Sequence, residues 1–433
     1  MKLTIGSVLA VIVAVGFPVA APASDGVDGQ VCVGIERIDT ALAWASPGWG
    51  YNAPKIVRNA AGEMWAVNFF GKYGGHERAR VLKRSADGRW IKGAEFDSLY
   101  QPSMIFLDPD GRLNYVQNSQ TLPIRHYRSS DDENLNSFSL IATGNGLPDG
   151  RGWYVGVAVH GRTMFMAYVT LTYDLYLTWK DITSPAWHDA VLIEPGLVDT
   201  ARGNHSWLYP RFAFFGDRGY ITVSSTVDGS KYNTYDKVCM ASFLLASPEQ
   251  VEKELVYEGA VGYYSYCYDV AITNDSLLLC AFNAGRYRYG PRRDDILPAG
   301  LYVAARKIGQ TQWSVHQVDE GDGAVALFWR PEDGCYAVIT RGSWDQENHT
   351  LLKRSTDGGQ TWSVVVDDVL ADHPEIKHQF FAQGLRTESG STREGDTLHA
   401  LMTNHASVKP VDGLYDFDLL HLSIRLHGGK DGK

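Results

Sequence analysis

Cysteine is scarce in this sequence, and the few cysteines follow no spacing pattern. Only five occur in 433 residues, with no Cys-x-x-Cys pair: Cys32, Cys239, Cys267, Cys280 and Cys335. In an exported chain one or two disulfides could form, but an odd count leaves a thiol over, and burial as small apolar residues is the alternative. A structural metal at Cys267 or Cys280 with a histidine has no support from spacing and is not predicted. Cysteine therefore does not organise the fold.

Long apolar runs are confined to the first two dozen residues. Lys2, the apolar run 3–17 and the small residues 21–23 are typical of a secretory signal peptide. We therefore expect cleavage after residue 23, with the chain 24–433 secreted or periplasmic. No later stretch approaches the length of a membrane span, so a membrane anchor is not expected.

Positive charge is also in deficit. The 40 Lys and Arg residues are outnumbered by 50 Asp and Glu residues, which gives a net charge of −10. This argues against nucleic acid or a membrane surface as partner, although it is compatible with a local basic cleft. Aromatic residues make up 12% of the chain, so a sizeable core can form.

Helical periodicity is almost absent, and only residues 248–255 are predicted to be helical. Alternating apolar stretches dominate instead, joined in pairs by tight turns of Gly, Asn and Asp. Seven such hairpin turns are predicted, at 59–62, 108–111, 160–161, 216–219, 274–275, 331–334 and 390–395.

A second kind of turn repeats between these hairpins. In LLKRSTDGGQTW, residues 351–362, an apolar strand enters Ser-x-Asp-x-Gly and the chain turns back onto Trp362. Six further copies, most of them degenerate, occur at intervals of roughly 45 to 70 residues. They lie at 81–90, 125–138, 176–187, 238–250, 302–313 and 419–426.

Each unit thus consists of strand a, hairpin, strand b, variable loop, strand c, turn and strand d. Seven such units predict an all-β fold, a seven-bladed β-propeller of four-stranded antiparallel blades that fills 24–433 as one domain. A strand near residues 31–35 is expected to close the last blade. The repeated turn resembles the Asp box of BNR-repeat proteins, and its expected role is structural. Asp357 would accept hydrogen bonds from turn amides, and Trp362 would pack between blades.

This topology sorts residues by face. The a–b and c–d turns lie on one face, and the starts of strand a and the long b–c loops lie on the other, where function is expected. Several histidines are thereby assigned to packing or to the opposite face: His160 in a hairpin, His126 and His421 in c strands, and His188 and His316 in outer strands.

The functional face gathers tyrosine and tryptophan together with cations. Aromatic platforms suit sugar rings, and arginine and lysine suit carboxylate or sulfate groups, so an anionic polysaccharide or oligosaccharide is the expected partner. The alternative is that these residues only fill the propeller tunnel. The predicted substrate-binding residues are Lys72, His76, Tyr100, Asn118, Trp153, Tyr268, Arg288, Arg341, His378 and His405.

Three segments carry a family resemblance: GYNAPK at 50–55, the stretch 97–132, and LYPRFAFFGDRGYITV at 208–223. They resemble BNR-repeat polysaccharide lyases such as ulvan lyases and rhamnose–glucuronate lyases. The resemblance implies a seven-bladed propeller that cuts 4-linked uronic acids by β-elimination and needs no cofactor. In that family an arginine at the start of a central blade neutralises the uronate, and His or Tyr residues move protons.

Arg211, in Tyr-Pro-Arg-Phe, falls where that arginine is expected, with its guanidinium at the mouth of the central channel. Tyr209 lies two residues away on the same strand, so both side chains can face the same side. His205 lies just upstream. The resemblance therefore predicts Arg211, Tyr209 and His205 as the catalytic residues, with base and acid unassigned between the last two.

The sequence departs from the ulvan group at blade two. That group commonly reads Asp-Asp-His-Asn-x-Pro there, with a second His-Asn in the b–c loop, whereas this chain has residues 98–102 and 118–120 without histidine. Either Tyr100 or another residue of the face takes the proton role, or the substrate differs, or the activity is lost.

Two other functions compete with the lyase. A sialidase-like exo-glycoside hydrolase shares the propeller and the Asp box, and arginines for it are available. However, the functional face offers few carboxylates: Glu77, Asp269, Asp345 and Glu347. A non-catalytic glycan-binding propeller is the third reading. In each case a monomer is expected.

Overall fold

The computed structural model describes most of the chain between residues 31 and 426. The described ranges are 31–47, 53–72, 74, 76–99, 103–131, 134–196, 207–226, 235–259, 263–287, 297–321, 323–331, 333–341, 349–376, 379–386, 395–405 and 412–426. The predicted signal peptide, residues 1–23, lies outside these ranges.

Strands are the regular elements of the described chain. They are β1 (Val31–Ala43), β2 (Ile56–Arg58), β3 (Met64–Lys72), β4 (His76–Arg84), β5 (Trp90–Leu99), β6 (Met104–Leu107), β7 (Leu113–Gln117), β8 (Arg125–Ser129), β9 (Phe138–Thr143), β10 (Tyr154–His160), β11 (Thr163–Val169), β12 (Leu175–Asp181), β13 (Val191–Glu194), β14 (Trp207–Phe215), β15 (Arg218–Ser225), β16 (Lys237–Leu244), β17 (Ser247–Glu258), β18 (Tyr263–Tyr264), β19 (Cys267–Ile272), β20 (Leu277–Ala284), β21 (Arg286–Tyr287), β22 (Gly300–Lys307), β23 (Ser314–Asp319), β24 (Gly323–Arg330), β25 (Gly334–Arg341), β26 (His349–Ser355), β27 (Ser363–Val366), β28 (Gln379–Gly384), β29 (Thr397–His405) and β30 (Tyr415–Leu426). Within these ranges, a helix long and apolar enough to cross a membrane is not found.

These strands form seven four-stranded antiparallel blades, as predicted. Blades one to four are β2–β5, β6–β9, β10–β13 and β14–β17. Blade five is β19, β20, β22 and β23, and blade six is β24–β27. Blade seven takes β28, β29 and β30 from the end of the chain and β1 from its beginning. The short pair β18–β21 stands beside blade five.

The N-terminal strand closes the ring, as predicted, and is longer than expected. β1 pairs antiparallel with β30 over its whole length, from Val31 opposite Leu426 to Ala43 opposite Tyr415. At its far end Ala43 also pairs with Gly71 of blade one. Because the first and last described strands, β1 and β30, pair within one blade, they close the ring.

The core lies between blades. The innermost strands are buried on both faces, so they are almost continuously apolar, as in Val155–Val159 of β10. Side chains of adjacent blades pack together; for example, Leu279 and Val303 of blade five contact the cluster of Leu327 and Leu351 of blade six.

The turn 355–362 has the structural role predicted for it. Asp357 Oδ1 accepts hydrogen bonds from Ser355 Oγ at 2.8 Å and from the amides of Gln360 and Thr361 at 3.0 and 2.9 Å. The indole of Trp362 donates to Gly359 O at 3.0 Å and packs between blades five and six. Asp357 thus holds a turn together on the hairpin face.

The helix predicted at 248–255 is wrong. These residues belong to β17, the outer strand of blade four, which pairs with β16 from Lys237 to Leu244. The spacing of Val251 and Leu255 imitated a helical turn, but pairing with β16 overrides local preference. The charged residues between them bind neighbouring elements: Lys253 pairs with Glu194, and Glu254 pairs with Arg306 at 2.5 Å.

A histidine pair, with His421 buried and His399 half-buried, lies at the seam between blades seven and one. His399 Nδ1 is 3.0 Å from Nε2 of His421, whose Nδ1 is 3.3 Å from Glu36 of β1. Arg84 of blade one donates to the same carboxylate at 2.6 Å. Burial, and then repulsion by His421, Arg58 and Arg84, lowers the pKa of His399 from 6.5 to about 3. Closure of the ring therefore favours a neutral His399.

This pair should make stability depend on pH. Because the folded pKa of His399 lies below the unfolded one, its stabilising contribution is present above pH 6.5 and is lost as the pH falls toward 3. We expect the free energy of unfolding to fall by up to about 1.4 kcal/mol per pH unit from this group. Denaturant titrations at several pH values give the free energy of unfolding as a function of pH. The slope of this dependence on pH should be smaller for His399→Gln than for the wild-type protein. His160→Gln, at an exposed hairpin, should keep the wild-type slope, and an unchanged slope in His399→Gln would contradict the prediction.

Candidate active site

The start of the innermost strand of blade four is distorted. The register of β14 against β15 shifts between Leu208 and Arg211, which marks a β-bulge. Tyr209 within it has φ 56°, a left-handed conformation that costs a tyrosine energy. The neighbouring strand comes so close that a Cβ on Gly156 would lie 2.0 Å from Pro210 O. Bulges of this kind re-aim side chains and are frequent beside active sites.

Two further innermost strands carry bulges at the same level. The register of β19 shifts between Cys267 and Asp269, and that of β28 shifts between Phe380 and Gln383. The starts of blades four, five and seven are therefore irregular, whereas the innermost strand of blade three pairs without a shift.

Arg211 belongs to an ion cluster in the middle of the ring. Its Nε lies 2.9 Å from Asp269 Oδ1, and its Nη1 donates to Tyr268 O at 3.1 Å. Arg386 of blade seven donates to the same Asp269 oxygen at 2.7 Å and to Phe212 O at 2.7 Å. Arg211 is 5% exposed, so it is buried among the inner strands and not exposed at the mouth of the channel, where the sequence had put it.

Asp269 joins four blades. Besides Arg211 of blade four and Arg386 of blade seven, it accepts a hydrogen bond from the amide of Leu327 in blade six, at 2.9 Å to Oδ2. Its own blade is the fifth. The carboxylate is 1% exposed. The sequence identified Asp269 only as a carboxylate of the functional face, because nothing local reveals its cross-ring partners.

Lys55, at the entry to blade one, adds a third cation. It is 3% exposed, and burial, followed by repulsion from Arg211, lowers its pKa well below the ordinary value. Burial and repulsion from Arg211 also lower the pKa of Arg386 to about 9. Burial is the main cause of both shifts, and the charge of Arg211 adds to each of them.

A group of tyrosines adjoins this cluster along the chain, through Tyr209 near Arg211 and Tyr268 next to Asp269. The ring of Tyr209 lies 4.5 Å from that of Tyr154 and 6.1 Å from that of Tyr266. Tyr266 in turn contacts Tyr235 at 5.4 Å and Tyr268 at 6.5 Å. Burial, and then the phenols of Tyr209 and Tyr235, raises the pKa of Tyr154 well above its ordinary value, so Tyr154 stays a neutral donor.

An aromatic platform continues from these tyrosines onto blades two and three. Trp153, next to Tyr154, stacks on Tyr173 with centroids 5.8 Å apart and planes 12° apart. Asn118 Nδ2 donates to Trp153 O at 3.2 Å. Both aromatic rings keep part of their surface accessible. Tyr173, with φ 67°, was not predicted from the sequence. It lies in a short b–c turn, whereas the prediction of binding residues relied on long loops.

Five of the predicted residues are thus brought together: Asn118, Trp153, Tyr209, Tyr268 and Arg211. Four others lie outside the described residues: His205, Tyr100, Arg288 and His378. Their roles stay predictions.

The remaining predicted residues lie on other blades of the same face. Lys72 and His76 are exposed, and they lie opposite each other in the pairing of β3 with β4 at the b–c turn of blade one. Arg341 of blade six is bound by Asp319 through both Nε and Nη2, at 2.8 and 2.6 Å, so its fork already holds a carboxylate. His405 of blade seven is buried against Tyr415 and Phe417.

The histidines assigned to other positions are mostly where the topology predicted. His160 ends β10 at its hairpin, and Tyr154 starts the same strand, so the two lie at opposite ends of it. His126, His421 and His316 lie in β8, β30 and β23. His188 precedes β13 and is not in a strand; it stacks on Trp179 at 5.1 Å. Which face binds substrate stays a prediction.

Near Arg386 the axis of the ring is almost filled. A cavity of about 30 Å³ lies between the innermost strands of blades one to three and Arg386, enough for little more than water. Among the described residues, three or more His, Cys, Asp or Glu side chains do not converge in a way that could hold a metal ion.

No protein-family model and no curated protein matches the sequence. Among solved structures, the chain is similar to an ulvan lyase of polysaccharide lyase family PL25, with TM-score 0.61 and 12% identity over 87% of this chain and 94% of that one. A second structure from that family, bound to glucuronic acid linked 1-4 to rhamnose 3-sulfate, gives 0.60 and 12% over 87% and 95%. A mutant α-L-arabinofuranosidase from Fusarium graminearum gives 0.48 and 12% over 75% and 92%. The similarity to the two ulvan lyase structures, at 12% identity, shows a shared fold.

Proposed function

We propose that this protein is an exported BNR-repeat, Asp-box polysaccharide lyase that cleaves a 4-linked uronic-acid polymer by β-elimination. The observation that carries the proposal is the buried Arg211, which Asp269 Oδ1 and Tyr268 O hold in a fixed orientation two residues from Tyr209. The similarity to an ulvan lyase over nearly its whole length supports the same reading.

β-Elimination requires a group that stabilises the negative charge developing in the transition state. Removal of the proton at C5 of a uronate creates carbanion character beside a carboxylate. A guanidinium already fixed by Asp269 Oδ1 and Tyr268 O needs no reorganisation as this charge develops. In a water-poor site such a donor acts more strongly than in solvent. Arg211 would therefore stabilise the transition state.

Proton transfer would fall to the phenols and to His205. Tyr209 is two residues from Arg211, and its left-handed backbone fixes where its ring points. The neutral phenol of Tyr154, hydrogen-bonded with Tyr209, keeps a proton in this group at neutral pH. We propose that Tyr209 and His205 act as base and acid, and that Tyr154 supports Tyr209.

Binding of the polymer would extend over Trp153 and Tyr173. Parallel stacked aromatic rings, partly accessible at the edge of blade three, suit the apolar face of a sugar ring. Asn118 holds the Trp153 backbone in place from blade two. A saccharide lying on this platform would present its next unit to Tyr209.

One assay tests the reaction class. The full chain is incubated with a panel of uronate polysaccharides while the ultraviolet absorbance of a conjugated double bond is followed. We expect absorbance to rise with at least one polymer, because elimination leaves a double bond next to the carboxylate.

The matched control is the same polymer with its carboxylates reduced to alcohols, which should not be cleaved because Arg211 then has no carboxylate to neutralise. New reducing ends without absorbance would identify a hydrolase instead. Binding of the polymer with neither signal would identify a glycan-binding propeller and overturn the lyase.

A further inference from the structure

Two cysteines of blade five touch inside the protein. Sγ of Cys267 lies 3.4 Å from Sγ of Cys280, and the residues are 2% and 0% exposed. Cys267 begins β19 and Cys280 lies on the adjacent β20. All five cysteines of the chain are thiols in this structure, so this contact is between two separate side chains.

The bulge in β19 explains why the sulfurs meet. In the pairing, Cys267 lies opposite Phe282 and Val270 lies opposite Cys280, with a shift between Cys267 and Asp269. In a regular pair, residues offset in this way are diagonal neighbours and stay farther apart. The Cys267 amide also donates to Ser224 Oγ of blade four at 2.8 Å, which fixes the bulged end.

The two thiols differ in acidity in the folded protein. Burial opposes ionisation of Cys267, but the hydrogen bond with Cys280, and then those with Thr222 and the charge of Arg211, hold its pKa below the ordinary value. The same bond and burial raise the pKa of Cys280 well above it.

We propose that Cys267 and Cys280 form a disulfide in the exported protein. The thiolate of one cysteine attacks a disulfide oxidant, such as oxidised glutathione or a thiol–disulfide oxidoreductase, and one oxidant sulfur leaves as a thiolate. The thiol of the other cysteine then loses its proton and attacks the protein sulfur of the mixed disulfide, so that the second oxidant sulfur leaves. Two protein thiols become one S–S bond, and the oxidant disulfide becomes two thiols. Because both sulfurs are buried in the fold, the exchange takes place before β19 and β20 close.

The bond would lock the strand that carries the ion cluster. Asp269 is two residues from Cys267 and binds Arg211 and Arg386, while Tyr268 lies in the bulge itself. A covalent link across the bulge restricts the unfolded chain and holds these two residues in register. The disulfide would thus help to hold Tyr268 and Asp269 in position, but its existence does not depend on the proposed reaction.

Counting thiols tests the bond. The full chain is produced both with export to an oxidising compartment and in a reducing cytoplasm, then unfolded and alkylated without reduction. We expect three of the five cysteines to be alkylated in exported protein and all five in cytoplasmic protein. No Lys or Arg lies between residues 267 and 280, so trypsin should give one peptide that is lighter by two hydrogens. Cleavage at Asp269 and Asp275 should then give linked fragments.

Two variants control the count. Exported Cys280→Ser should show all of its remaining cysteines alkylated, whereas exported Cys335→Ser, which removes another buried cysteine, should keep the linked peptide. Five alkylated cysteines in folded exported protein, or a link between Cys239 and Cys280, would overturn the proposal. The experiment measures mass and not activity. A result without the disulfide therefore leaves the lyase proposal untouched, and a result without lyase activity leaves the disulfide proposal untouched.

Discussion

Arg211→Ala is expected to lower kcat by about 10²-fold or more, the loss seen when a main charge-stabilising donor is removed. In the proposed reaction Arg211 acts on charge that develops in the transition state, so the loss should appear in kcat more than in KM. Arg211→Lys should restore little activity, because a point charge cannot reproduce a planar fork that binds Asp269 and Tyr268 O together.

The burial of Arg211 adds a cost to folding. Removing one member of a buried ion pair typically costs about 3–5 kcal/mol. Asp269 still has Arg386 at 2.7 Å, so the loss of stability for Arg211→Ala should be at the lower end. Activity must therefore be measured per folded molecule, with the folded fraction determined by denaturant titration.

Arg306 provides the matched control for Arg211. Its side chain is similarly buried, at 8% exposure, and is ion-paired with Glu254 at 2.5 Å between blades four and five, away from the tyrosines. Arg306→Ala should lose stability and keep kcat. Equal turnover in folded Arg211→Ala and folded Arg306→Ala would mean that Arg211 only braces the blades, and the catalytic assignment would fail.

Much of the fold could be predicted because its determinants are local. The hairpin at 108–111 and the turn at 355–362 are each coded by a few Gly, Asp and Ser residues, and repeating them fixes strand count and blade count. The strand expected near residues 31–35 closes the last blade as β1, which pairs with β30. The helix at 248–255 failed for the opposite reason, since the strand there depends on pairing partners and not on its own sequence.

The site was predicted less completely, because it depends on contacts around the ring. Tyr209 and Arg211 were found from one segment. Asp269 and Arg386 are 117 residues apart and meet only because seven innermost strands surround one axis. Likewise, Arg341 looked available for substrate in the sequence, but Asp319 on the preceding blade binds it. Residue type and face were predictable, and the pairing of charges was not.

Asp269→Asn is expected to have the largest effect on stability. The substitution keeps the shape of the side chain but removes the negative charge shared by Arg211 and Arg386. The two buried guanidinium groups then repel each other. We expect a loss of about 3–5 kcal/mol in the free energy of unfolding. Combining Asp269→Asn with Arg386→Gln should recover part of this loss, because one of the opposed cations is removed, and a double-mutant cycle measures that coupling.

The same variant should also lower kcat per folded molecule, because Asp269 holds the guanidinium of Arg211 in position. Asp108 is the matched control: it is a buried carboxylate bound by Arg128 at 2.6 Å, at the blade-two hairpin on the opposite face. Asp108→Asn should lose stability and leave kcat unchanged. If the Asp269 and Asp108 variants show the same kcat per folded molecule, or if the cycle with Arg386 shows no coupling, Asp269 does not orient Arg211 and the charge cluster is structural only.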